Sequence, residues 1–352
     1  MDETRRLTPD WALEVATVLT EAAGASRTDA RTVAEHLIAA DLRGIDTHGL
    51  VRLPVYLARA ARGELHADAV PEVVRDAPAG ALVDGHDGFG QVVATHAMRI
   101  AVHKATTVGV GAVAVRNSSH FGAAAAYTMM AAENGCIGLA LTNTQPLLPA
   151  VGGAGRVVGN NPLSVACPSR LDFPLVLDIA MSQVAAGKLR MAAAAGQPIP
   201  DTWAFDPEGN PTTDPTTALF AGGLLRPVAD HKGFGLALMI DVLTGALSDG
   251  GVAAAVVGLD GSGSANVSHQ LLAIHIDTFL GMEPFLDRID QLIATVRTSP
   301  RRQGIDRLYL PGELEHEAQL ERRTHGLHYD DRLIDRLQAA ATGLGVELPP
   351  VV

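Results

Sequence analysis

Cysteine is scarce: Cys136 and Cys167 are the only two among 352 residues, and each lies inside an apolar run. Two lone thiols without ligand spacing exclude a disulfide framework and a cysteine-built metal centre, and no metal site is expected. Both are expected to be buried thiols in a reducing compartment. Positive charge is the minority sign, with 27 Lys plus Arg against 39 Asp plus Glu and a formal net charge of -12. An acidic body excludes broad contact with nucleic acid or an anionic membrane, which demand clustered cations. Anions must therefore be met by a few local Arg and Lys side chains and by helix N-termini. No apolar run reaches the roughly 20 residues that span a bilayer, and MDETRRLTPDW lacks the apolar core of a secretion signal. The expected address is the cytoplasm.

A dinucleotide fingerprint is also missing. Ala81-Leu82-Val83-Asp84 reads as a strand that runs through glycines 85, 88 and 90 into a helix from Gln91 to about Thr107. The spacing fails, because counting from Gly88 puts Val93 where the third glycine of GxGxxG belongs. A plain turn accounts for these glycines better.

What the chain does have is 47% hydrophobic residues, enough for a large core, and a length that suggests two lobes. Its densest chemistry lies in Arg43-Gly44-Ile45-Asp46-Thr47-His48-Gly49-Leu50-Val51-Arg52-Leu53-Pro54-Val55-Tyr56. Asp46 or Thr47 is suited to cap a helix start, and Pro54 is tolerated only in a first helical turn, so a helix is expected to begin here. Arg52 and Tyr56, four apart, then share a face with His48 just before them. A guanidinium can hold a planar carboxylate bidentately, and an imidazole can pass a proton near neutral pH. The plain alternative is a solvated helix entrance with a surface Arg–Asp pair.

Upstream, periodic apolar positions from Trp11 to about Asp41 predict two helices broken at residues 24–28, the second capped by Ser26 or Thr28. Downstream, Gly109 to Val115 reads as an apolar strand that delivers Asn117 to His120 to the start of a helix over residues 123–133. Such a helix start presents free N–H groups to an anion, or is simply capped by the same polar residues. A second strand, Ile137 to Leu141, ends in Thr142-Asn143-Thr144-Gln145, and Gly159-Asn160-Asn161-Pro162 follows in loops. A third strand closes on Asp178, suited either to ribose hydroxyls or to capping.

Residues 196–215 form a proline-punctuated excursion, expected to be an ordered loop over a surface or subunit contact. His231-Lys232-Gly233 precedes an apolar helix, and a lysine there opposes the helix dipole, which favours a phosphate or carbonyl partner. Glycines over residues 250–266 suggest a mobile loop, and residues 269–277 suggest a strand. Arg301 and Arg302 suit a phosphate or plain solvation, and residues 313–338 read as an outer helix without chemistry.

Taken in order, RGIDTHGLVRL, NSSHFG, GNNP, DIAMS with GK, IPDTWAFDPEGNPTTDP and HKGFGLALMIDVL resemble the NAD(P)-dependent malate/L-lactate-type dehydrogenases. That family also includes ureidoglycolate and sulfolactate dehydrogenases, diketogulonate reductase and cyclic imino acid reductases. The resemblance implies an α/β, two-lobed, non-Rossmann fold that binds NAD or NADP, with NAD slightly favoured. A helical lobe would join residues 1–75 to residues 314–352, and residues 76–313 would form a central mixed-sheet lobe. It also implies a homodimer acting on a small carboxylate substrate by hydride transfer to or from a 2-hydroxy or 2-oxo acid. Reduction of a cyclic imino acid, or a catalytically silent nucleotide-binding homologue, are the alternatives.

Carried over by motif, His48 and His120 line the reacting centre with Thr47 beside them, His48 being the preferred acid/base. Arg52, Tyr56 and Asn160 meet the substrate. Cofactor contacts are implied at His120, Phe121, Gly122, Ala123, Ala124, Thr144, Asp178, Ile179, Ala180, His231, Lys232, Gly233, Arg301 and Arg302. Two positions depart from the commoner family pattern: Thr47, where a serine is usual, and Asn160, where a threonine is usual. Both put the substrate rather than the reaction class in question.

Overall fold

A computed structural model of the chain describes residues 4–350. Thr8 accepts a hydrogen bond from the Trp11 N–H and starts the helix Pro9–Ala22, and Ser26, not Thr28, caps the helix Arg27–Leu42 through the Asp29 N–H. These helices pack with Leu53–Ala61 and with the C-terminal helix Asp331–Leu344 around one apolar cluster that includes Leu19, Leu37, Leu53, Tyr56, Leu333 and Leu337. A two-stranded ribbon, Thr4–Leu7 against Leu327–Asp330, ties the two ends of the chain together. The tail is thus two helices separated by a strand, where the charge pattern alone suggested one.

A seven-stranded mixed sheet makes the other body. Its order across the sheet is Glu72–Ala77, Gly80–Asp84, Val110–Ser118, Val267–His275, Cys136–Thr142, Leu163–Cys167 and Leu175–Ile179. Only Gly80–Asp84 and Val110–Ser118 run parallel. The boundary expected at residues 75 and 76 therefore cuts the first strand. The helices Gly90–Val108 and Ala125–Glu133 cover one face through Val93, Ala97, Met98, Ala101 and Tyr127. Small residues on both partners, such as Ala101 over Gly111, allow this close packing: a Cβ on Gly111 would lie 2.0 Å from the Ala101 carbonyl oxygen.

The topology fixes where polar chain ends gather. Val267–His275 runs antiparallel to both Val110–Ser118 and Cys136–Thr142, which pair it on either side. The C-terminal ends of those two flanking strands therefore emerge at the same sheet edge. That edge carries Asn117 to His120 and Thr142 to Gln145 into one region, where loops are free to present side chains. Buried His269 locks it: its ring nitrogens lie 2.8 Å from Thr142 Oγ1 and 2.8 Å from Ser118 Oγ, and the ring stacks on Phe121.

Candidate functional site

Leaving the helix Arg27–Leu42, the chain makes two successive 3-10 turns, Asp46–His48 and Leu50–Arg52, before the helix Leu53–Ala61 opens with Pro54 in its first turn. None of these starts is capped by a side chain, contrary to the expectation for Asp46 and Thr47. Asp46 instead pairs with Arg322. Thr47 Oγ1 lies 3.0 Å from His48 Nδ1. The segment hangs on Asp41, a buried carboxylate that accepts from the Leu50 N–H at 2.8 Å and from the Tyr329 hydroxyl at 2.7 Å. Only glycine fits at position 49, since a Cβ there would sit 1.6 Å from Asp41 Oδ1. Burial pushes the Asp41 carboxyl up to about 7.

Arg52 donates Nε–H to the Thr47 carbonyl at 2.5 Å, which points its two terminal amino groups away from the backbone. Among the described residues those amino groups have no hydrogen-bond partner. The His48 and His120 rings stack with centroids 5.4 Å apart and planes 22° from parallel. Behind them, Tyr56 is almost fully buried with its hydroxyl 2.6 Å from His120 Nδ1. Gln91 completes the chain: its side-chain amide nitrogen Nε2 donates to the Tyr56 oxygen at 3.3 Å, and the Gly122 N–H points at the same His120 Nδ1 at 3.4 Å.

Two donors directed at Nδ1 make it an acceptor, so the neutral His120 ring carries its proton on Nε2. Burial is the first cause of low basicity in both rings, and it holds the His48 imidazole down to about 4, with Arg52 as the second cause. His120 is pushed well below its ordinary range by burial and then by His48 and Arg52. Both imidazoles are therefore neutral at pH 7.

These groups open into a cavity of about 870 Å³, within the roughly 300 to 1,000 Å³ typical of small-molecule sites. Of the residues singled out from the sequence, Thr47, His48, Arg52, His120, Phe121, Gly122, Ala123, Ala124, Thr144, Asn160, Asp178 and Ala180 line it. Tyr56 does not; it supports His120 from behind and is no direct wall of the cavity. Ile179 points to the other side of its strand from Asp178, as alternation requires.

His231 and Lys232 lie exposed in the first turn of the helix His231–Asp241, and Gly233 is buried with the Val228 carbonyl oxygen 2.5 Å from where its Cβ would be; none of the three reaches the cavity. Arg301 borders a separate surface groove with Arg297 and Arg307, and Arg302 is exposed and outside both. The helix expected from residue 123 starts at Ala125, and its free N–H groups are already taken: Asp178 accepts from Ala125 N–H at 2.8 Å. Capping thus claims the Asp178 carboxylate, which burial pushes up to about 6.

Other lining residues had no strong local signal. Arg43, Glu315 and Asp178 form a charge cluster on the wall, so the helix Glu313–His325 reaches the cavity after all. Residues 197–200 and Trp203 bring part of the proline-rich excursion to the wall rather than leaving it a surface loop. The supposed mobile loop is held by the fully buried Arg59, which donates to the carbonyls of Gly258, Leu259, Gly261 and Gly263. Thr47 packs its added methyl toward Gly187, where a Cβ would lie 2.4 Å from Thr47 Cγ2. Cys136 is buried as expected and Cys167 only half-buried, and both thiols are free.

The cavity suits a nicotinamide dinucleotide. Its size, the hydroxyl and amide of Thr144 and Asn160, and the buried Arg43 Nε that lacks a partner offer it a mixed set of donors and acceptors. No group of three or more metal-ligating side chains occurs among the described residues.

Two stacked neutral imidazoles and the unpartnered terminal amino groups of Arg52 thus meet at the edge of a mixed sheet that carries no glycine fingerprint. The family model for malate/L-lactate dehydrogenase matches residues 8–338, and the chain belongs to that family. The malate dehydrogenase of Pyrococcus horikoshii is 38% identical over 331 residues, covering 92% of this chain and 91% of that protein. The (2R)-3-sulfolactate dehydrogenase (NADP(+)) of Chromohalobacter salexigens is 35% identical, with 91% and 93% covered. The ureidoglycolate dehydrogenase (NAD(+)) of Escherichia coli K12 is 33% identical, with 90% of each covered.

Among solved structures, malate dehydrogenase from Entamoeba histolytica superposes with a TM-score of 0.95 at 31% identity, over 99% of this chain and 100% of that one. Delta1-piperideine-2-carboxylate reductase from Pseudomonas syringae gives 0.86 at 27% identity, over 96% and 100%. The protein is an NAD(P)-dependent dehydrogenase acting on the CH–OH group of a 2-hydroxy acid.

Proposed function

We propose that Arg52 holds the substrate carboxylate while His48 exchanges the hydroxyl proton and His120 donates a hydrogen bond to the same oxygen. The observation that carries this is the convergence of an unpaired guanidinium and two stacked neutral imidazoles on one cavity. The bound nicotinamide supplies the hydride acceptor or donor. Tyr56 and Gln91 keep the His120 proton on Nε2, so that ring acts as a donor. If His48 Nδ1–H donates to Thr47 Oγ1, its Nε2 carries the lone pair that takes a proton from the hydroxyl. Holding the acid at Arg52 against both rings supplies the alignment that proton and hydride transfer need.

NAD is the favoured coenzyme, because Asp178 and Glu315 set two carboxylates against Arg43 on the cavity wall. We further propose a homodimer. The helical stretch after His231 leaves Leu236, Met239, Val242, Leu243 and Leu247 exposed, a row that a second copy can cover. Free thiols fit the cytoplasm. No helix among the described residues is long and apolar enough to cross a membrane.

Purified protein assayed with NADH and NADPH against pyruvate, oxaloacetate and a cyclic imine tests the assignment through absorbance of the reduced nicotinamide. Turnover of a 2-oxo acid supports it. Turnover of the cyclic imine alone would transfer the same residues to protonation of nitrogen, and coenzyme binding without turnover of any acid would leave a silent homologue.

A further inference from the structure

The turn that carries His48 and Arg52 is held from behind by the C-terminal segment. Tyr329, on the strand Leu327–Asp330, donates its hydroxyl to Asp41 Oδ2 at 2.7 Å, and the same oxygen accepts the Leu50 N–H at 2.8 Å. Arg322, in the last turn of the helix Glu313–His325, donates Nη1–H to the Asp41 carbonyl at 2.5 Å and Nη2–H to Asp46 Oδ2 at 3.1 Å. The span from Asp41 to Leu50 is therefore gripped at its first carbonyl, at the carboxylate in its middle and at its last N–H. Gly49 lies so close to the Asp41 carboxylate that a Cβ there would meet Oδ1 at 1.6 Å, which leaves the turn no slack in that direction. Neither Tyr329 nor Arg322 lines the cavity.

The two imidazoles come from different bodies of the fold. His48 belongs to the helical one, and His120 to the loop that follows the strand Val110–Ser118. Their stacking, at 5.4 Å between centroids, depends on where the turn is held. Arg52 is bonded to the Thr47 carbonyl, so it moves with His48 as one unit. A shift of that unit leaves an acid bound to Arg52 but carries its reacting carbon out of line, and a misplacement of about 1 Å costs on the order of 100-fold in rate.

We propose that Tyr329 and Arg322 are positioning residues for hydride and proton transfer, acting through Asp41 and Asp46 to hold the His48–Arg52 turn against His120. The inference rests on the roles given above to His48 and Arg52.

The probes are pyruvate and oxaloacetate with NADH. Tyr329→Phe keeps the ring packed and removes only the hydroxyl donor. It should lower kcat by about 10-fold, with KM for the acid and the NADH dissociation constant unchanged. Arg322→Met should act in the same way, and Arg322→Lys should recover part of the loss. Leu333→Ala opens a cavity in the apolar cluster that also holds Tyr329, without touching the turn; it should lower Tm at least as far as Tyr329→Phe and leave kcat unchanged. An unchanged kcat in Tyr329→Phe overturns the proposal, as does a rise in KM that accounts for the whole loss, or a fall in kcat that tracks Tm in Leu333→Ala as well. Turnover that survives His48→Gln and Arg52→Met removes the roles themselves and the proposal with them, whereas turnover lost in those variants but kept in Tyr329→Phe removes the tether alone.

Discussion

The Tyr56 hydroxyl and His120 Nδ1, 64 positions apart in the chain, lie 2.6 Å from each other. That contact decides which nitrogen of His120 carries the proton. Tyr56→Phe removes the donor and frees the ring to change tautomer. Steady-state assays should show kcat lower by about 10- to 100-fold, part of the 10² to 10⁴ usually carried by general acid–base groups. KM for the acid should move far less, since the carboxylate clamp is untouched. A KM effect larger than the kcat effect would instead return Tyr56 to direct substrate contact.

In the proposed mechanism, oxidation of the hydroxy acid needs His48 unprotonated. Its basicity is depressed to about 4, so kcat/KM for oxidation should be flat through neutral pH and fall only as pH drops through about 4. Arg52 is the second cause of that depression. Arg52→Met should therefore shift the acid limb upward, besides weakening binding. A pH profile measured with a saturating coenzyme checks both shifts, and an unmoved limb would separate the two residues electrostatically.

Arg52→Lys keeps the charge and loses the planar fork. KM for the acid should rise by about 10- to 100-fold as one charge-assisted bond is lost. Isothermal titration with an unreactive acid analogue distinguishes this from a defect in turnover, because it measures binding alone.

Arg59 gathers four carbonyls of the loop that carries Asp260, at 2.6 to 3.4 Å. Arg59→Met leaves those acceptors and Glu64 without their buried cation and should lower stability by about 3 kcal/mol. Thermal unfolding reads the loss, and limited proteolysis should cut first between residues 258 and 263. Protection of that loop in the variant would show that other contacts hold it.

Asp41 links stability to pH. Its folded-state carboxyl titrates near 7, above the ordinary 3.8, because burial opposes the charge. A group raised in this way contributes most when protonated, below its unfolded value, and its contribution is lost as pH climbs through about 7. Relative to Asp41→Asn, the wild type should lose on the order of 3 kcal/mol between pH 4 and 8. Chemical denaturation of both proteins across that range isolates the effect from the buried histidines, which His36 and His269 illustrate with values held to about 4 and about 3. Those act in the opposite sense, losing their contribution as pH falls from about 6.5 toward those values.

Much of the chemistry was legible locally. Helix starts at Thr8 and Ser26, the clustered polar residues of the Arg43–Tyr56 stretch, and the strand-to-turn passages at His120 and Thr144 are written in short-range patterns of capping residues, glycines and apolar runs. Errors came where a distant partner decided the outcome. Capping was legible at the strand-end carboxylate Asp178, but the helix it caps lies 53 positions upstream instead of following it. Glycines over residues 250–266 suggested mobility, which Arg59 removes from nearly 200 positions away. Lys232 had the electrostatics of a ligand site, yet the turn of its helix leaves it outside the cavity.

By itself, then, the amino-acid order pointed to the reaction class through six linked motifs that resemble one dehydrogenase family, while the turn carrying His48 and Arg52, taken alone, was equally open to a solvated helix entrance. Tertiary structure alone decided the tautomer of His120, the masking of Asp178 and the pairing of Tyr329 with Asp41. The physical reason is reach: local patterns act through neighbouring backbone groups, whereas hydrogen bonds and burial across the fold join side chains whose separation along the chain bears no relation to their distance in space.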